Sequence, residues 1–153
     1  MNSKIAGQLN SIDFDPNFYI SQPIDIPYFD NVKLTIGFIE ATHQPYLDTA
    51  DEILENFLQL TSTDKTKDTA LVYNYYYQTL THGHTKSLDI SSPVDIWKFV
   101  QPKEIIIYGD EDEDFYLCVS CDCAWEDEHG LQLVFKDGLT LTRASGHDGH
   151  FTD

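Results

Sequence analysis

Two cysteines and two histidines in the last third of the chain are residue types that bind zinc or act in catalysis. Cys121 and Cys123 are two positions apart, so on a strand both thiols point to the same face, and His129 follows across a turn. Thiolate and imidazole groups are ligands that zinc prefers, and His147 could complete such a set. One hypothesis is therefore a metal-dependent or thiol enzyme that uses Cys121, Cys123 and His129, with His147 as a further ligand.

The spacing of these residues departs from the patterns of zinc sites and thiol enzymes. Structural zinc sites use cysteines separated by two residues and a second such pair, whereas one residue separates Cys121 from Cys123. Neither a Gly-x-Ser-x-Gly elbow nor a thiol-protease pattern surrounds them. Because an unpaired cysteine behaves as a small apolar residue, the sequence favours buried cysteines, no cofactor and a non-catalytic protein.

The chain is strongly acidic, with 26 Asp and Glu residues against 9 Lys and Arg and a formal net charge of −17. A field of this sign repels nucleic acids and anionic membranes, and it speeds the approach of basic proteins. The composition therefore predicts no nucleic-acid or membrane partner. It leaves two explanations for the charge, which are solubility and a basic partner protein.

The densest acidic run, Asp110 to Asp114, superficially resembles a calcium-binding loop. Such a loop needs glycine at its sixth position, and Phe115 occupies that position here. The run is therefore predicted to be a solvated hairpin tip.

Length and cysteine placement predict one cytoplasmic domain. The 153 residues contain no internal repeat, no linker and no long apolar segment. All three cysteines lie within residues 118–123, unlike the even and dispersed set of a secreted disulfide framework. The sequence leaves the oligomeric state open.

Hydrophobic periodicity predicts the elements that position these residues. Within residues 9–40, apolar and polar residues alternate, as they do in strands. Within residues 46–60, apolar residues recur every three or four positions, as they do on one face of an amphipathic helix. A polar interruption at 61–65 precedes a second predicted helix around 72–80, and four further strands follow from residue 104. The predicted fold is α+β, an antiparallel sheet from N- and C-terminal strands with two helices, at about 46–80, packed on one face.

Residues 121–131, followed by Phe135-Lys136-Asp137-Gly138, resemble the C-terminal pattern of a family of uncharacterised bacterial domains. In that pattern, a strand ending in Cys-Asp or a similar dipeptide is followed by Trp, acidic residues, Glu-His-Gly and a hydrophobic strand closed by Asp-Gly. The resemblance covers about residues 104–149.

Several small acidic domains of this style resemble immunity proteins of bacterial polymorphic toxin systems, which bind and block a toxin. This resemblance implies a non-catalytic protein that neutralises a basic toxin. The implied contact residues are Trp125, Glu126, Asp127, Glu128 and His129. A purely structural alternative stays open, in which Trp125 caps the sheet while Glu128 and His129 bond to the backbone of a turn.

Overall fold

The computed structural model describes residues 1–12, 15–39, 44–83, 87–109 and 114–148. The strands are β1 (Asn2–Ser3), β2 (Gly7–Ile12), β3 (Asp15–Ser21), β4 (Ile24–Ile26), β5 (Val32–Leu34), β6 (Ile36–Ile39), β7 (Val100–Gly109), β8 (Phe115–Cys123), β9 (Glu126–Lys136) and β10 (Thr140–Ser145). The α-helices are α1 (Gln44–Gln59), α2 (Ser62–Lys67) and α3 (Thr69–Thr81), and two 3₁₀ helices span Pro27–Phe29 and Pro93–Phe99. The predicted α+β class is confirmed.

Eight strands form one large sheet in the order β1-β2-β3-β6-β7-β8-β9-β10, and β4 pairs with β5 in a separate ribbon. The sheet joins N- and C-terminal strands, as predicted, and most neighbouring strands are antiparallel. The exception is the junction itself, where β6 and β7 run parallel. Between β6 and β7 the chain passes through the helices, and this long connection allows β7 to enter the sheet in the same direction as β6. The prediction of an entirely antiparallel sheet was wrong for this pair.

Both predicted helices are present, and a third lies between them. The helix predicted at 46–60 is α1, and the one predicted around 72–80 is α3. The polar interruption at 61–65 was predicted to be non-helical, but most of it forms the start of α2. Thr61 caps this helix, because its hydroxyl accepts from the backbone of Thr63 while the Asp64 side chain accepts from the backbone of Thr61.

The core forms where the helices meet alternate residues of the sheet. Helix α1 packs on β7 and β8, and α3 packs on β10. Phe57 of α1 meets Phe135 of β9 with ring centroids 4.8 Å apart, and Tyr28 contacts both rings. Leu131, Leu133 and Phe135 alternate along β9 and are all fully buried in this core. The sheet therefore supplies one row of side chains to the helices that cover it.

The β9–β10 turn follows the sequence prediction. Asp137 and Gly138 both have positive φ, 55° and 71°, and they form the centre of a tight turn in which the backbone N–H of Leu139 donates to the carbonyl of Lys136. The predicted acidic tip at Asp110 to Asp114 lies mostly outside the described residues, which omit 110–113. Among the described residues, no helix has both the length and the apolar composition needed to cross a membrane.

Candidate functional site

The predicted site residues lie where β8 turns into β9, and an insertion in β9 makes part of this turn protrude. Cys123 pairs with Glu126, but the next pair along the ladder is Cys121 with Leu131. Residues 127–130 therefore face a single residue, Asp122, and form a bulge, called here the β9 bulge. Gly130 closes it with φ of 60°, and a side-chain carbon there would lie 2.8 Å from the carbonyl oxygen of Cys121. Glycine is therefore required at this position.

The carboxylate of Glu126 orders the β9 bulge. Its Oε1 accepts hydrogen bonds from the backbone N–H groups of Glu128, at 3.0 Å, and His129, at 3.3 Å, and it lies 3.4 Å from Nδ1 of His129. Partial burial acts to raise the pKa of this carboxyl group, but the N–H donors and His129 outweigh burial and lower the pKa of Glu126. Glu126 is therefore negatively charged at neutral pH, and its hydrogen bonds hold the β9 bulge in place.

Two more hydrogen bonds hold the bulge against the rest of the protein. The hydroxyl of Tyr75, on α3, donates to the carbonyl oxygen of Gly130 at 2.9 Å, and the backbone N–H of His147 donates to the carbonyl of His129 at 2.8 Å. The exposed side chains of Asp127, Glu128 and His129 thus project from an anchored backbone.

Trp125 lies beneath the bulge and is only 2% exposed. Its ring packs edge-on against Tyr75 and Tyr76, with centroids 5.9 and 5.7 Å away. Its indole Nε1 is buried and has no hydrogen-bond partner among the described residues. Of the five residues that the resemblance places at an interface, Trp125 is the one withdrawn from solvent.

The three cysteines are unpaired and buried, with Cys121 and Cys123 in the main core. Burial raises the pKa of the Cys118 and Cys123 thiols to about 12, and it raises the pKa of Cys121 as well. The Cys123 thiol also donates to the backbone carbonyl of Glu126 at 3.6 Å. All three thiols are therefore protonated at neutral pH, whereas the nucleophilic form of a cysteine is the thiolate.

One group of three potential metal ligands exists in the part of the chain that the structure describes. It consists of Glu126, Glu128 and His129, each of which offers a ligand atom within 4.8 Å of the others. His129 belongs to the predicted metal set, but Cys121, Cys123 and His147 are not members of this group. The structure thus gathers carboxylates around His129 and leaves the cysteines in the core.

A cleft of about 790 Å³ opens between α3 and the β8–β9 turn. Its α3 wall consists of Tyr75, Gln78, Thr79 and His82, and its other wall is formed by residues 124–129. Among the described residues, the lining contains three carboxylates and neither lysine nor arginine. The α3 wall of this cleft was not predicted from the sequence. The available signal was the spacing of Tyr75, Gln78 and His82, which places them on one side of a helix.

The fold and site define an α+β domain with a mainly antiparallel eight-stranded sheet and an acidic cleft beside one of its hairpin turns. The chain belongs to the family described as Domain of unknown function (DUF6985), whose profile matches residues 8–151. No curated protein and no solved structure matched the chain.

Proposed function

We propose that this protein is a non-catalytic binding protein that uses the β9 bulge to capture a basic partner protein. The observation that carries the proposal is the pairing of exposed acidic side chains with an anchored backbone. Asp127 and Glu128 are exposed, while Glu126, Tyr75 and the backbone of His147 fix the segment that carries them. A fixed acidic surface loses little conformational entropy when a partner binds.

The charge of the whole chain supports the same class of partner. With a net charge of −17, the protein attracts cationic surfaces over distances set by the ionic strength. Electrostatic steering of this kind raises the association rate more than it raises the lifetime of the complex. Binding to the partner is therefore expected to weaken as salt is added.

In this proposal Trp125 supports the β8–β9 turn and does not contact the partner. A side chain that is 2% exposed has almost no surface to offer a partner. Its packing against Tyr75 and Tyr76 holds the β8–β9 turn on α3, so that Glu126, Asp127, Glu128 and His129 are the contact residues.

The partner that we propose is a basic bacterial toxin, and the protein is its cytoplasmic immunity protein. This proposal rests on the resemblance of the chain to immunity proteins, together with an acidic surface that suits a cationic toxin. Since immunity genes accompany toxin genes, the test is co-expression with the basic product of the adjacent gene. We expect that product to stop growth when expressed alone and to be harmless beside this protein.

A matched variant sharpens the co-expression test. Asp127→Asn with Glu128→Gln removes two exposed charges while preserving side-chain size, and we expect it to weaken protection. The control is Lys33→Gln with Asp25→Asn, which removes an exposed ion pair in the separate β4–β5 ribbon. An adjacent product that is harmless by itself, or full protection by the bulge variant, would count against the proposal.

A zinc or thiol enzyme is not proposed, because Cys121 and Cys123 are buried in the main core and are not part of the ligand group around His129. Elemental analysis of the purified protein tests this choice directly. We expect substoichiometric zinc, whereas one zinc per chain that is lost in Cys121→Ala or Cys123→Ala would reinstate the metal enzyme.

A further inference from the structure

We infer that the solvent-facing side of α3 is the contact surface of a homodimer, in which two copies of this chain pack their α3 helices antiparallel. The exposed residues on this side form a continuous line along the helix, called here the α3 stripe. They are Ala70, Leu71, Asn74, Tyr77, Gln78 and Thr81. The inference does not depend on the proposed function, because the α3 stripe lies outside the β9 bulge and its occupant is a different one.

The α3 stripe carries no charge, although the chain is strongly acidic. At the chain's average of 23% charged residues, a helix of 13 residues would contain about three, whereas Thr69–Thr81 contains no Asp, Glu, Lys or Arg. On α1, by contrast, the exposed positions include Asp48, Glu52 and Glu55. Solvent-facing sides of helices normally carry charged and polar residues, so solubility does not explain the composition of the α3 stripe.

The α3 stripe also exposes apolar side chains that suit helix packing. Tyr77 is 55% exposed and Leu71 is 38% exposed, and Asn74 lies midway between them in the sequence. Ala70, on the same side of the helix, is small, and small residues allow a second helix to approach closely. The α3 stripe therefore combines apolar area with room for a neighbouring helix.

The order of residues makes the α3 stripe complementary to itself. In a symmetric dimer, a residue i contacts residue j of the second copy while j contacts i. A twofold axis at Asn74 places Leu71 of each copy opposite Tyr77 of the other, because both lie three positions from Asn74. The same axis brings the two Asn74 amides together, and an amide can both donate to and accept from an identical amide. One antiparallel arrangement thus satisfies both copies.

The charge of the chain favours a second copy over a basic protein at this surface. Two molecules of charge −17 repel each other, so contact costs least where neither presents carboxylates, as at the α3 stripe. A basic protein is attracted to the acidic surfaces instead. Because a helix of 13 residues is only about 20 Å long, the contact is small and the dimer is expected to be weak.

The test is sedimentation velocity of the full chain at protein concentrations from roughly 1 µM to roughly 500 µM, a range that brackets weak dimers. We expect the wild type to change from monomer to dimer across this range. Added salt should promote the dimer, because it screens the repulsion between two acidic chains, whereas it weakens binding to a basic partner. The sign of the salt effect therefore separates this interaction from the proposed function.

Matched insertions of charge locate the contact. Leu71→Glu and Tyr77→Glu each place one carboxylate per copy within the apolar contact, and we expect either variant to weaken dimerisation by at least about tenfold. The control is Val32→Glu, which adds the same charge at a 44% exposed apolar position on β5 and should change dimerisation by less than about twofold. Circular dichroism of the variants should match the wild type, since all three positions are exposed.

Cross-linking tests the position of the twofold axis. The three native cysteines are buried, so Asn74→Cys introduces an accessible thiol. With a mild thiol oxidant, this variant should form disulfide-linked dimers several-fold faster than Glu52→Cys, whose thiol would lie on the exposed side of α1.

Three results would overturn the inference. They are a wild type that stays monomeric at the highest concentration, a dimer that Leu71→Glu and Tyr77→Glu leave intact, and equal cross-linking of the two cysteine variants. If the wild type stays monomeric while Tyr77→Glu weakens binding to the basic partner, the α3 stripe belongs to that interface and the homodimer is excluded.

Discussion

The two sides of the β8–β9 turn differ in solvent exposure, although their residues are adjacent in the sequence. Its inner side consists of Cys121, Cys123 and Trp125, which are buried in the main core. Its outer side is the β9 bulge, where Asp127, Glu128 and His129 are exposed. These neighbouring residues are thus divided between a buried side and an exposed side, and the division occurs at Glu126.

The β9 bulge separates the buried side of the turn from its exposed side. Along a regular strand, alternate residues would return to the core, so an acidic run of this length would bury a charge. The extra residues opposite Asp122 leave the ladder instead, and Gly130 brings the chain back into register at Leu131. Substitutions on the inner side should therefore change the free energy of unfolding, while those on the outer side should change binding.

The largest expected effect is that of Trp125→Ala. Removing a fully buried aromatic side chain should lower the free energy of unfolding by about 3–5 kcal/mol. Urea unfolding followed by circular dichroism measures this loss. Trp125→Phe should cost less, because it keeps an aromatic ring and removes the unpartnered N–H donor. A Trp125→Ala protein as stable as the wild type would contradict the assignment of Trp125 to the core.

Alkaline pH should destabilise the inner side through its thiols. The unfolded chain releases the Cys121 proton near its ordinary pKa of about 8.5, whereas burial keeps the folded thiol protonated, so stability falls as the pH rises above that value. Between about pH 7.5 and about pH 9.5, this single group should contribute about 1.4 kcal/mol to the loss. Urea unfolding at both pH values should show a smaller pH-dependent loss for Cys121→Ala. Equal losses in both proteins would mean that the folded thiol ionises normally.

A smaller effect is expected from the hydrogen bond that ties the bulge to α3. Tyr75→Phe removes the donor to the carbonyl of Gly130 and should lower the free energy of unfolding by about 1 kcal/mol. Tyr77→Phe is the matched control, because this side chain is on the same helix and 55% exposed. If the two variants unfold at the same urea concentration, the Tyr75 bond does not anchor the bulge.

The smallest effect on stability belongs to the outer side. Asp127→Asn with Glu128→Gln should change the free energy of unfolding by less than about 0.5 kcal/mol, since both side chains are exposed. Thermal unfolding is sufficient to test this expectation. A clearly larger loss would show that the outer carboxylates serve the fold rather than a partner.

Periodicity predicted most of the elements but could not predict how they meet. The apolar repeats of α1 and α3 and the Asp137-Gly138 turn are local signals, and each was confirmed. Helix α2 was missed because its strongest signal is a capping box, Thr61 with Asp64, rather than an apolar face. The parallel pairing of β6 with β7 depends on a crossover, which local periodicity does not encode.

The arrangement of the candidate site residues could not be predicted from the sequence. Residue types drew attention to the segment from Cys121 to His129, but its inner and outer sides follow from a register shift that residue types do not reveal. The α3 wall of the cleft was missed because Tyr75 and Gly130 are far apart in sequence and meet only in the folded chain.

The most direct test of the proposed function is the association rate with the basic toxin that we propose as the partner, measured by stopped flow across a range of salt concentrations. For the wild-type chain, the proposal predicts a rate that falls steeply as salt increases. For Asp127→Asn with Glu128→Gln, it predicts a slower rate and a shallower salt dependence at unchanged stability. A rate that is independent of salt, or identical in the two proteins, would contradict the claim that the β9 bulge is an acidic recognition surface.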